Sequence, residues 1–147
     1  MNCSIFKKIV VATDGSESAK KAVDTAVEIA RECETKLYAL HVISLGFLYE
    51  SLPTDEELEE AFQEKLVTEG KQATAYVENA GRAANVEVES IILRGIPAQE
   101  IIYFADRNDI DLIVMGTHGL TGIKKFLLGS VAEKVVRHAT KSVLVVR

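Results

Sequence analysis

Five short runs of aliphatic and β-branched residues alternate with stretches of helical periodicity, and this alternation leaves the chain few folds to choose from. Ile9-Val10-Val11-Ala12 is the first run; it ends at Thr13-Asp14-Gly15-Ser16 and reads as a buried strand with its turn. Ala19, Ala22, Val23, Ala26, Val27 and Ala30 then trace one face of a helix that Asp14 or Ser16 can cap. Residues 37–43 form the second strand. After a connection at 44–53, Thr54-Asp55-Glu56-Glu57 has the form of a capping box. The helix behind it runs to about residue 82, roughly 40 Å at ~1.5 Å per residue, with a break possible at Gly70 or Gly81. Strand three covers 86–93, and Pro97 suits the first position of the next helix. Strand four is 111–115. A glycine-spaced loop leads to Ser130-Val131-Ala132-Glu133, again a capping-box pattern, and 142–146 is the last strand. Strands and helices in strict alternation imply right-handed crossovers, and hence an α/β fold with a parallel sheet covered on both faces.

Length and charge narrow the function. A chain of 147 residues is expected to form a single domain over 1–147 and can bury about two-thirds of its unfolded surface, so it is expected to need neither a disulfide nor a metal to fold. A net charge of −5 argues against nonspecific binding to nucleic acid or to an anionic membrane. No run approaches the ~20 apolar residues of a membrane span, and the first apolar stretch breaks off at Thr13, so no signal peptide is expected. Cys3 and Cys33 make no CxxC or metal-spaced set; the expectation is free thiols in a reducing, cytoplasmic setting.

Open parallel sheets bind ligands beyond the carboxyl ends of their strands, where the winding reverses. Here the first strand ends in Thr13-Asp14-Gly15-Ser16 and the fourth in Met115-Gly116-Thr117-His118-Gly119. The loop after the fourth returns at Gly129-Ser130 to a helix N-terminus, whose free N–H groups and positive dipole suit an anion. Gly129 admits close backbone approach, and Ser130 offers a hydroxyl to a phosphate or to the helix as a cap. Gly116 and Gly119 permit positive φ, which would turn successive N–H groups into an anion nest. The backbone N–H of His118 is favoured over its ring as a ligand contact. His41, mid-strand, reads as structural, and Lys124 and Lys125 as solvated. Chance alone would produce the spacing Gly116-x2-Gly119-x9-Gly129-Ser130 in about 0.5% of chains this long, so it counts as moderately specific.

At these residues the sequence resembles the universal stress protein family, in its ATP-binding branch. The likeness covers essentially the whole chain: residues 10–16, Arg94-Gly95-x-Pro97, and Met115-Gly116-Thr117-His118-Gly119 through Gly129-Ser130-Val131-Ala132-Glu133-Lys134-Val135. Leu120 stands where many members carry a basic or polar residue. The resemblance implies a three-layer, Rossmann-like α/β/α sheet of order 3-2-1-4-5 with the nucleotide between strands 1 and 4. Ala12, Thr13 and Asp14 would line the adenosine side, and the backbone at Val42 would meet adenine. Gly116, His118, Gly119, Gly129 and Ser130 would surround the phosphates, while Met115 and Val131 pack beside the sugar and base. Mg²⁺ or Mn²⁺ would ride on the phosphates, since no carboxylate cluster offers it a cage.

Three functions compete. One is an ATP-binding regulatory or stress-response protein, a nucleotide-dependent switch. Another is a slow nucleotide hydrolase or transferase, although no G-x4-G-K-[ST] or GxGxxG motif occurs and no base or cationic clamp stands out. The last is an interaction domain with an idle pocket. A phosphoacceptor receiver and an ATP pyrophosphatase are disfavoured, because Thr13-Asp14-Gly15-Ser16 supplies neither an acidic pair nor Ser-Gly-Gly. The apolar last strand, a sheet edge, is expected to pair with a second copy in a homodimer.

Overall fold

Each apolar run becomes a strand and each periodic stretch a helix. The chain is described by a computed structural model over residues 3, 5–46, 55–119 and 128–147. Its elements are β1 (Ile9–Ala12), α1 (Glu17–Glu32), β2 (Leu37–Ser44), α2 (Glu56–Ala83), β3 (Val88–Gly95), α3 (Pro97–Arg107), β4 (Leu112–Gly116), α4 (Ser130–His138) and β5 (Ser142–Val146). The sheet order is β3-β2-β1-β4-β5, and every pair is parallel, as the alternation and the family likeness require.

Period-two alternation sends successive strand residues to opposite sides. Ile9, Val11, Leu37, Ala39, Leu112 and Val114 join Ala22, Val23, Ala26 and Val77 in a core beneath α1 and α2. Val10, Leu40, Ile113 and Met115 join Ala98, Ile101, Phe104, Ala132 and Val135 in a second core beneath α3 and α4. The result is three layers, with β1 and β4 buried at the centre.

Helix ends depart from the sequence reading in instructive ways. Ser16, not Asp14, caps α1: its hydroxyl accepts from the Ala19 N–H at 3.1 Å. Asp55 caps α2, accepting from the N–H groups of Glu57 and Leu58, while Thr54 lies outside the described residues. α2 runs unbroken through both glycines. Both are there for room: a Cβ on Gly81 would stand 2.4 Å from Val88 Cγ2, and one on Gly70 would stand 2.7 Å from His41 Cδ2. Burial, chiefly, and the Asp24 carboxylate push the pKa of Tyr76 up, and its hydroxyl donates to Asp24 Oδ1, tying α2 to α1.

The cysteines are a correction. Cys3 and Cys33 are joined as a disulfide, with Cα atoms 4.4 Å apart. The segment leading into β1 passes the end of α1, a proximity that a separation of 30 residues does not advertise. Protein purified without reductant and then denatured should titrate no thiol, and two after reduction. Two thiols before reduction would leave the cysteines free.

Candidate functional site

The sheet reverses its winding between β1 and β4, so their carboxyl ends open the crevice where this architecture places ligands. Ala12 ends β1, with Thr13 and Asp14 just past it; Met115 and Gly116 end β4, with His118 and Gly119 in the loop beyond; Gly129, Ser130 and Val131 open α4. Val42 lies two residues before the end of β2, on the same sheet face as Ala12, Met115 and Val131, which all belong to the core under α3 and α4. The sequence-predicted residues therefore gather at one edge of the sheet. Leu120, Lys124 and Lys125 lie outside the described residues.

The β1–α1 loop is held at several points. Thr13, buried, donates its N–H to Leu40 O at 2.9 Å. The Thr13 hydroxyl accepts from Gly15 N–H, and Asp14 Oδ1 accepts from Ser16 N–H at 2.9 Å. Gly15 has φ +81°, a left-handed turn that glycine adopts without strain. Its neighbour across the gap is α2, with Ala73 Cβ 3.6 Å from where a Gly15 Cβ would sit.

Opposite stands the β4 loop. Gly129 N–H donates to Thr117 O at 2.6 Å, folding the start of α4 onto the end of β4. Gly129 itself is the N-cap, with no side-chain cap bond. This corrects the capping-box reading: the long-range bond at Gly129 starts the helix at Ser130, which leaves the Ser130 hydroxyl at the first helical position, exposed. The first intrahelical bond runs from Glu133 N–H to Gly129 O, so the N–H groups of Ser130, Val131 and Ala132 lack intrahelical acceptors.

Neither Gly116 nor Gly119 takes a positive φ, which corrects the expected anion nest. Both serve close approach instead. A Cβ on Gly116 would stand 2.7 Å from the carbonyl oxygen of Ser18, and one on Gly119 would stand 2.6 Å from Asp14 Oδ2. Ser18, which sequence reasoning passed over, is the link between the two loops. Its Oγ accepts from the His118 N–H at 3.3 Å and lies 3.5 Å from Thr117 Oγ1. The signal was the second serine after Gly15, one helical position inside α1.

A crevice lined by glycines, bordered by Asp14 and ended by a helix N-terminus whose N-cap is Gly129 can seat an anionic group with its apolar remainder against Ala12, Val42, Met115 and Val131. Residues 5–147 match the model of the universal stress protein family, and the chain belongs to that family. It is 40% identical to universal stress protein MJ0531 of Methanocaldococcus jannaschii over 98% of this chain and 84% of that one. The solved structure of MJ0577 from the same organism superposes with a TM-score of 0.83 at 34% identity, covering 97% of this chain and 96% of that one. Two further structures hold nucleotides. A universal stress protein in complex with cAMP gives a TM-score of 0.75 at 28% identity, over 98% and 99% of the two chains. The Archaeoglobus fulgidus protein in complex with dAMP gives 0.71 at 28%, over 97% and 99%.

Proposed function

We propose that this chain is a single-domain, ATP-binding regulatory or stress-response protein, a switch whose state depends on the nucleotide in the β1–β4 crevice. The N-terminus of α4, where the N-cap is a glycine and which is pinned beside Thr117–Gly119 through Gly129, carries the reading. It presents three backbone donors and the Ser130 hydroxyl where phosphates would lie. Gly116, His118, Gly119 and Gly129 would frame those phosphates. Thr13 and Asp14 would take the ribose or base donors, and the Val42 backbone would meet adenine beside Ala12, Met115 and Val131. Relatives that bind cAMP and dAMP support an adenine ligand. A Mg²⁺ or Mn²⁺ ion carried by the phosphates would neutralise their charge. The reading includes a cytoplasmic setting and a homodimer paired through residues 142–146. Mass spectrometry of small molecules released by denaturing protein purified without added nucleotide tests it. Recovery of ATP supports the proposal, and a different ligand class would replace it.

Turnover should fall well below the usual enzyme range of ~1–10³ s⁻¹. Around the crevice, the described side chains supply Asp14, already accepting from Ser16 N–H, and the His118 ring, whose Nδ1 lies 3.1 Å from Thr117 Oγ1. The sequence carries no Walker lysine motif, G-x4-G-K-[ST], to serve phosphoryl transfer at that rate. Steady-state phosphate release within the enzyme range, abolished by a Gly129 variant, would make the slow hydrolase the better reading.

A further inference from the structure

We propose that His41 is a positioning residue for the nucleotide crevice, holding the β1–α1 loop from behind, and that Gly70 is the notch in α2 that admits its ring. His41 faces α2 at Gly70, on the side of the sheet opposite the one that carries Val42. Its Nδ1 is 2.8 Å from the Thr13 carbonyl oxygen. A carbonyl oxygen only accepts, so Nδ1 carries the proton and donates. Thr13, one residue past the end of β1, is thereby fixed to β2 twice: by its N–H on Leu40 O and by its C=O on the His41 ring. Asp14, Gly15 and Ser16 follow directly, and their conformation hangs on that anchor.

The far edge of the ring faces α2. A Cβ on Gly70 would stand 2.7 Å from His41 Cδ2 and 3.3 Å from Nε2, so any larger residue there must displace the ring. Gly70 is buried in the middle of a 28-residue helix, where glycine costs about 1 kcal/mol relative to alanine. The close fit to His41 is the compensating gain. Three turns of chemistry thus line up in space: the helix, the imidazole and the loop that borders the ligand. A histidine kept only to fill the core would need no donor aimed at a loop carbonyl.

This inference rests on the reading of the crevice as a nucleotide site, and the experiment separates the two. His41→Phe preserves an aromatic ring and removes the donor. It should weaken MgATP binding about tenfold by calorimetry, the scale of one lost positioning hydrogen bond, with little change in Tm. His41→Asn, whose amide N–H can stand near the Nδ1 position, should stay within about threefold of wild type. Amide exchange at Gly15 and Ser16, whose N–H groups bond to Thr13 Oγ1 and Asp14 Oδ1, should quicken in His41→Phe and not in His41→Asn. Wild-type affinity and exchange in His41→Phe would overturn the proposal. So would equal losses in both variants tracking an equal fall in Tm, the mark of ring packing alone. If His41→Phe does not fold, Gly70→Ala decides: it keeps the histidine but displaces its ring, and unchanged affinity and exchange there overturn the clamp. If wild-type protein binds no nucleotide, the functional reading fails while the exchange rates still judge the anchor: faster exchange upholds it, unchanged exchange overturns it.

Discussion

Gly129→Val should lower ATP affinity by about tenfold or more, a loss of ~1.4 kcal/mol at least, without unfolding the protein. A Cβ at this position would stand 3.2 Å from the Thr117 carbonyl oxygen and 3.3 Å from His118 Cα. Alanine would be tight there; the two methyl groups of valine reach further and force the start of α4 away from the end of β4. The Gly129 N–H bond to Thr117 O then lengthens, and the first-turn donors of α4 no longer point into the crevice. The φ of Gly129 is −71°, so no backbone strain confuses the result. Calorimetry on both proteins, with thermal melts as the control, measures the effect. Equal affinities would remove the ligand from this end of α4.

Val145→Pro should convert a dimer at micromolar concentration into a folded monomer. β5 lies at the edge of the sheet beside β4, and Leu144 on it is 37% exposed. Val146 O accepts from Thr117 N–H, so residue 146 addresses β4. Strand residues alternate in the direction of their polar groups, and Val145 therefore presents its N–H and C=O to the open edge. Proline at 145 deletes an outward donor and spares the β4–β5 ladder, whereas proline at 146 would damage the ladder itself. Light scattering distinguishes the outcomes. A monomeric wild type would refute the dimer, and an unaffected variant dimer would move the interface to α2 or to residues 44–53.

The alternation of strands and helices was legible because periodicity is a local property, while the sheet order 3-2-1-4-5 came through the family likeness. Val10 and Val11 are adjacent in sequence and face different cores, as period two demands. The clustering of Thr13, Gly116 and Gly129 was legible through strand ends, since parallel strands deliver their carboxyl termini to one edge. What escaped depends on contacts between distant segments. Ser130-Val131-Ala132-Glu133 satisfies the capping pattern, yet the bond from Gly129 to Thr117 shifts the cap by one residue. Gly116 and Gly119 look like turn residues, yet their smallness serves Ser18 and Asp14 across the crevice. Gly70 looked like a weak point in a long helix because its reason, His41, sits 29 positions away. The Cys3–Cys33 pairing had no pattern to betray it.

Among the described residues the two cores share no side chain, and that separation sets how change spreads through the molecule. His41, with α2 above it, belongs to one side; Val42, Met115 and Val131 belong to the other. Side chains on opposite faces of a sheet share no cavity and no partners, so the free-energy effects of altering them add with little coupling. Substitutions under α3 and α4 can therefore reshape the wall that would meet a base while the loop anchored at Thr13 stays as it was. Drift on the anchoring side, conversely, would be felt as a change in the loop's order with the shape of the opposite wall intact. A fold divided in this way lets what is recognised and how firmly it is held evolve as nearly independent traits.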